Sequence, residues 1–467
     1  MTGSRECLRS QWLVLATGSL CALLGACGGG GGAASGSRAC SAGNQKEFVL
    51  EAAREWYLFQ DLLPATVDVD DFGTAAELLD ALTAAARAEG KDRFFSFVTS
   101  QAADNSFLQA GEFIGFGFST RIADDRLLLA DVYEGSPAAG AGLARGAEIT
   151  HIDDGSGFVP VATILAGDPN LETAFGPAEV GIERGLRFML PGGQPQDALL
   201  AKEIVTILPV PADSTRILTL PSNPSVPVGY VHLRTFISTA ESPLRAAYAD
   251  FRAQGIQNFI VDFRNNGGGL VAIAELMGDL NGFGRANGDV YTRTHFNARK
   301  ASNDTERRFS PLPQSVAPVR IAFITTGASA SASELVINGM KPWAEVAIVG
   351  ADTFGKPVGQ LGFDLDRCDL RLRLVSFETV NADDEGDYFD GLGATLPFAC
   401  AAEDDLGHEP WDSQEASTAA ALEWLGTGAC GQVMTSAESA LAKAPLGLRT
   451  PQLRRPAAAQ AWLPGLY

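Results

Sequence analysis

Four times between residues 228 and 349 the chain runs through a short block of branched and aromatic apolar residues, and helix signals fill the gaps between them. The blocks are Val228–Leu233, Asn258–Phe263, Val319–Ile324 and Val346–Val349. Blocks this apolar suit buried strands, and strands that alternate with helices pair in parallel. Ser242 reads as an N-cap with Pro243 in the first turn, and Gly255 as the stop. Further helices follow from Leu270 and from about Ala332, and Leu372–Ser376 adds a strand. The pattern predicts a layered α/β domain over residues 209–435.

Upstream the periodicity differs. Asn44-x-x-Glu47 opens a helical pattern with Phe48, Ala52, Trp56, Phe59 and Leu63 on one face, and Thr74-x-x-Glu77 opens a second. Residues 44–108 are therefore a small helical region. Residues 109–208 read as a β-rich domain of short strands and glycine turns, with 155–185 as an insertion. Residues 436–467, rich in Ala and Pro, read as a loosely held tail. Lys and Arg number 35 against 56 Asp and Glu, a formal charge of −21, which excludes a general nucleic-acid binder.

The amino end reads as a secretory leader over residues 1–26. Arg5 and Arg9 precede an apolar run from Trp12 to Leu24, too short to span a membrane. Leu24-Gly25-Ala26-Cys27 resembles a bacterial lipobox, which implies cleavage before Cys27 and lipidation of its sulfur. The bland alternative is a plain secretory signal. Residues 27–43 form a Gly/Ser-rich tether. The expected location is the cell envelope, lipid-anchored in the bilayer and facing the periplasm; which membrane holds the anchor stays open, with Gly28 after Cys27 in place of the Asp associated with inner-membrane retention, which favours the outer membrane. Cys40, Cys368, Cys400 and Cys430 remain for one or two disulfides, with the pairing open.

The chemistry-bearing stretches sit where strands end. Thr326-Gly327-Ala328-Ser329-Ala330-Ser331-Ala332-Ser333-Glu334 lies between a strand and a helix, where a helix dipole favours developing negative charge. Thr353-Phe354-Gly355-Lys356-Pro357-Val358-Gly359-Gln360 follows the next strand, and a desolvated lysine there can act as a base with Gln360 orienting its amine. Asn266-Gly267-Gly268-Gly269 offers backbone N–H groups for an oxyanion. Each has a plain structural reading: Ser331-x-x-Glu334 is also a capping box, a lone lysine is usually solvated, and a glycine run is usually a turn. No G-x-S-x-G elbow supports a Ser-His-Asp enzyme.

In order, these stretches resemble one family. Ile114-Gly115-Phe116-Gly117-Phe118 and Gly135–Ile149 are similar to a PDZ domain of the bacterial protease type, with Ala147 where Asp is usual. The remaining motifs resemble those of the carboxyl-terminal processing serine peptidases, or tail-specific proteases, of the PDZ-containing lipoprotein type. The resemblance covers about residues 110–365. It implies a crotonase/ClpP-like catalytic domain, with Ser331 as nucleophile, Lys356 (25 positions later) as base and Gln360 assisting. It also implies oxyanion donors from the Gly268 and Ala332 backbones. Gly115, Phe116, Gly117 and Phe118 would bind peptide, and the substrates would be proteins or peptides with free C-termini. No metal or organic cofactor is implied. Gly267 stands where the family usually has Pro, and Pro357 where Gly is commoner. The rival readings are a catalytically silent peptide-binding lipoprotein and a crotonase-like acyl-CoA enzyme.

Overall fold

The computed structural model describes residues 40–285, 288–435, 450–451 and 456–467. The leader, Cys27 and most of the tether lie outside the described residues. The predicted parallel sheet is present: strands Asn223–His232, Asn258–Asp262, Arg320–Thr325, Glu345–Gly350 and Ala399–Ala401 lie side by side and parallel. Thr215–Leu220 closes one edge antiparallel. Because strand side chains alternate between faces, the sheet buries two separate cores. Phe259, Val261, Ile321, Phe323, Val346 and Ile348 face the helices Glu241–Ala253, Val271–Leu280 and Ala332–Met340. Ile260, Ala322, Ile324, Ala347 and Val349 face the helix Ala416–Thr427. The result is three layers. Ser242 is not the cap of its helix; a 3-10 turn over Ser238–Ala240 leads directly into Glu241.

A second, antiparallel sheet joins Phe97–Thr99, Val290–Phe296, Thr305–Arg308, Val358–Asp364 and Arg371–Asn381. The amino-terminal helices Ala42–Trp56 and Ala75–Leu82 pack Val49, Leu78, Leu79 and Leu82 on its Leu372, Leu374 and Val375. Thr74 and Glu77 form the expected capping box, whereas the first helix is capped by Ser41 and not Asn44.

Residues 112–206 build the β-rich domain, an antiparallel sheet of six strands with a separate two-stranded pair. The stretch 155–185 is not an excursion from it: Val161, Leu165, Leu171 and Phe175 are buried in the same core as Phe116 and Phe118. The tail also differs from expectation. Residues 436–449 and 452–455 lie outside the described residues, but Ala458–Trp462 is helical and Trp462, Leu463, Leu466 and Tyr467 are buried. Cys400 and Cys430 form a disulfide, while Cys40 and Cys368 stay as thiols joined by a hydrogen bond.

Candidate active site

Three loops meet at the carboxyl ends of adjacent parallel strands, the position where open α/β sheets place their ligands. Asp262 ends one strand and leads into Arg264–Gly269; Thr325 ends the next and leads to Ser331; Gly350 ends the third and leads to Lys356. Thus sequence segments as far apart as Arg264 and Lys356 converge because the strands that carry them are neighbours.

Ser331 heads the helix Ala332–Met340 with φ 56° and ψ −112°. A non-glycine residue in that region stores strain of ~1–3 kcal/mol and needs its surroundings to hold it there. The surroundings do so. Ala330 N–H donates to Asn266 O at 3.0 Å, and Leu335 N–H to Ser331 O at 2.8 Å. The neighbouring serines are structural: Ser329 Oγ donates to Phe263 O at 2.7 Å and Ser333 Oγ to Asn266 O at 3.0 Å, and both are fully buried. Ser331 is only half-buried. It is the one of the three that keeps partial exposure.

Glu334 ties the two halves of the site together. Its Oε2 accepts from Ser331 N–H at 2.9 Å and from Lys356 N–H at 2.8 Å, and its Oε1 accepts from Gly355 N–H at 2.7 Å. Ser331 and Lys356 are therefore held within two hydrogen-bond lengths along the backbone. Burial pushes the Glu334 carboxyl above the usual range, while the Thr353 hydroxyl and these N–H donors pull it back. The capping-box pattern made Glu334 visible in the sequence, but only as a helix cap.

Lys356 is 7% exposed, and its Nζ donates to Gln360 Oε1 at 2.9 Å. Burial lowers its pKa to about 8; the nearby Asp92 and Glu334 charges oppose that shift, and Arg373 adds to it. Gln360 in turn donates from Nε2 to Phe95 O. That carbonyl is fixed by the amino-terminal region, where Asp92 accepts from Phe95 N–H (2.8 Å), Ser96 Oγ (2.7 Å) and Tyr57 Oη (3.0 Å). Arg93 donates to the Phe354 carbonyl at 2.8 Å. No sequence motif pointed to Asp92, Arg93 or Phe95, because their roles depend on packing across 260 residues of chain. Proline at 357 is accommodated: Thr379 N–H donates to its carbonyl at 3.1 Å, and Lys356 keeps its own N–H for Glu334.

Of the two backbone donors named from the sequence, Ala332 is the first residue of its helix, where N–H groups lack intrahelical partners. Gly268 stands against Ser331, such that a β-carbon on it would lie 2.9 Å from Ser331 Cβ. Its N–H, however, donates to Asn266 Oδ1 at 2.9 Å, so in this arrangement it serves its own turn. The stretch Gly115–Phe118 lies in the β-rich domain: Phe116 and Phe118 are fully buried and stacked, and the Gly117 and Phe118 N–H groups donate to Tyr467 O at 2.8 and 3.1 Å.

Arg264 anchors the loop before Gly267. Its guanidinium is 1% exposed and pairs with Asp262 (2.8 Å), Asp404 (2.9 Å) and Glu415 (2.9 Å). Removing it strands buried carboxylates, so Arg264→Met is expected to lower stability by about 3–5 kcal/mol in urea unfolding. An unchanged midpoint would contradict this. The histidines take no part in a triad: His232 is buried neutral, its pKa lowered to about 3 by burial and Arg234.

Two family models match the chain, the Peptidase S41 N-terminal domain over residues 44–97 and Peptidase family S41 over residues 227–391. A carboxyl-terminal-processing protease of Synechocystis sp. is 27% identical over 277 residues, 58% of this chain and 59% of that protein. A Staphylococcus saprophyticus protein assigned as a CtpA-like serine protease is 25% identical over 257 residues, 54% and 46% respectively. The chain spans about half the length of these relatives. Among solved structures, a Bacteroides fragilis protein assigned to the S41 proteases superposes with a TM-score of 0.61 at 21% identity, covering 81% of this chain and 97% of that one. The photosystem II D1 C-terminal processing protease gives 0.50 at 18%, covering 83% and 99%. These two likenesses show the mixed α/β fold with its amino-terminal helical region.

Proposed function

We propose that this chain, which carries both domains of peptidase family S41, is a serine endopeptidase of the carboxyl-terminal processing type. Ser331 is its nucleophile, Lys356 its general base and Gln360 the group that holds the lysine amine. One observation carries the reading. A buried amine, with its pKa at about 8, sits on a backbone that shares a carboxylate oxygen with a strained serine at a helix start.

Neutral Lys356 takes the Ser331 Oγ proton as that oxygen bonds to the peptide carbonyl carbon, and the carbonyl π electrons move onto oxygen. The oxyanion meets the Ala332 N–H at the positive end of its helix. Collapse expels the amine, which takes the proton from Lys356. Neutral Lys356 then takes a proton from a water molecule as that water attacks the acyl carbon, and returns it to Ser331 Oγ as the ester bond breaks. Gly268 can add its N–H only after releasing Asn266 Oδ1.

Substrates would be proteins with free C-termini, recognised at the Gly115–Phe118 loop of a PDZ-like domain. Cys27, lipidated, would hold the enzyme at the envelope membrane facing the periplasm. Since only the neutral amine is a base, kcat/KM should rise about tenfold per pH unit below 8 and level off above it. A flat profile from pH 6 to 9 would contradict the assignment of Lys356. The reading is tested by a fluorophosphonate probe followed by peptide mapping. Label on Ser331, absent from Ser331→Ala, supports it, and label elsewhere overturns it.

A further inference from the structure

The tail read from the sequence as loose occupies both halves of the proposed substrate path. Gly465–Tyr467 pairs antiparallel with the edge strand Phe118–Ala123: Tyr467 N–H donates to Phe118 O at 2.8 Å, Thr120 N–H donates to Gly465 O at 2.8 Å, and Ser119 faces Leu466. The Tyr467 carbonyl takes the Gly117 and Phe118 amides, and Gly115 leaves room for its carbon, which a β-carbon there would approach to 2.9 Å. The Tyr467 ring packs 4.4 Å from Phe175, and its hydroxyl donates to Asn170 O at 3.3 Å. This is how an added strand is held, with main-chain bonds for affinity and a side-chain pocket for selection.

Five residues earlier the same segment reaches the dyad. The Trp462 ring centroid lies 5.8 Å from Lys356 Nζ, and its Nε1–H donates to Asp104 Oδ1 at 3.0 Å. The Trp462 carbonyl and Pro464 rest directly on Gly267, where any β-carbon would overlap that carbonyl oxygen. The absence of a side chain at 267 is thus matched to the passage of this segment. Residues arriving at the dyad are helical: Ala461 N–H donates to Ala457 O at 3.1 Å and Leu463 N–H to Ala459 O at 2.8 Å. A helical turn cannot present its peptide bond as an extended substrate does, so a segment held this way beside Lys356 would not be cut.

We infer that residues 456–467 are a built-in plug, bound in the Gly115–Phe118 groove and laid over Lys356, which a substrate's C-terminal segment must displace. The inference rests on the peptidase reading for its consequence but not for its contacts. It also names a substrate feature, an aromatic side chain that fits against Phe175.

The test locks the plug. In Ser119→Cys/Leu466→Cys the facing residues can be joined by oxidation, with wild type carried through the same treatment to control for the native cysteines. Two readouts are taken: casein cleavage, and anisotropy of a fluorescein-labelled peptide of residues 460–467. The oxidised protein should cleave casein at least tenfold more slowly than the reduced form and bind the peptide at least tenfold more weakly. Tyr467→Asp, which puts a charge against Phe175 without new cysteines, should bind the peptide at least tenfold more tightly than wild type. If no form cleaves casein but these binding differences hold, the plug stands and the peptidase reading fails. Equal peptide binding by the oxidised and reduced forms, and by Tyr467→Asp and wild type, overturns the plug; unaltered casein cleavage on locking shows that it does not gate.

Discussion

Replacing Lys356 with methionine is expected to lower kcat on an unfolded protein substrate by about a thousandfold or more, with no loss of thermal stability. The catalytic half follows from the role proposed for the Lys356 amine: without its proton acceptor, serine is a weak nucleophile at neutral pH, and a positioned base contributes ~10²–10⁴-fold. The stability half follows from burial. Lys356 is 7% exposed and its pKa is lowered chiefly by desolvation, so the native state already disfavours its charge. Methionine fills nearly the same volume without that cost. Lys356→Arg separates the two effects, because guanidinium stays protonated and should be as inactive while destabilising the site. Activity retained in either variant would mean that another group takes the proton.

The second large effect belongs to Glu334. Alanine there leaves the buried N–H groups of Ser331, Gly355 and Lys356 without their acceptor. At ~1–3 kcal/mol for each unsatisfied buried group, and with partial relaxation, a loss of about 3 kcal/mol or more in urea unfolding is expected. Glu334→Gln is the finer probe. It keeps the shape but one oxygen becomes a donor facing donors, so kcat should fall roughly 10–100-fold, the size expected when a clamp on reacting groups loosens. It also removes a negative charge that favours protonated Lys356. The midpoint of the pH profile should therefore move below 8. A fall in activity with an upward or unchanged midpoint would show that Glu334 acts only as a helix cap.

Much of the layered α/β domain was legible because its strands are covered on both faces. Phe259, Val261, Ile260, Ala322 and Ile324 have to be apolar at successive positions, and such blocks stand out against the helices between them. The positions of Ser331, Lys356 and Gln360 stood out for a related reason: each comes after a strand that the pattern locates. What was not legible depends on contacts between distant segments. Ser41 displaced Asn44 as a cap on local geometry alone. Asp92 and Phe95 carry no motif, yet their hydrogen bonds fix Gln360. Phe175 sits in a stretch whose Pro, Gly and Asp residues look like a loop, and its ring completes the β-rich core. The tail misled most. Its composition is that of a flexible end, and only Trp462, Leu463, Leu466 and Tyr467, spaced to fit two grooves formed by other parts of the chain, give it a fixed place.

The central claim is that Ser331 is the nucleophile of a working peptidase. The most direct measurement incubates the chain from residue 38 onward with casein, beside Ser331→Ala and with Tyr467→Asp included so that the groove is open, and follows the products by mass spectrometry. The account predicts cleavage by the wild type, faster cleavage by Tyr467→Asp, and none by Ser331→Ala. Cleavage that persists in Ser331→Ala would place the chemistry on another residue. No cleavage by any form would mean that the chain binds peptides without cutting them.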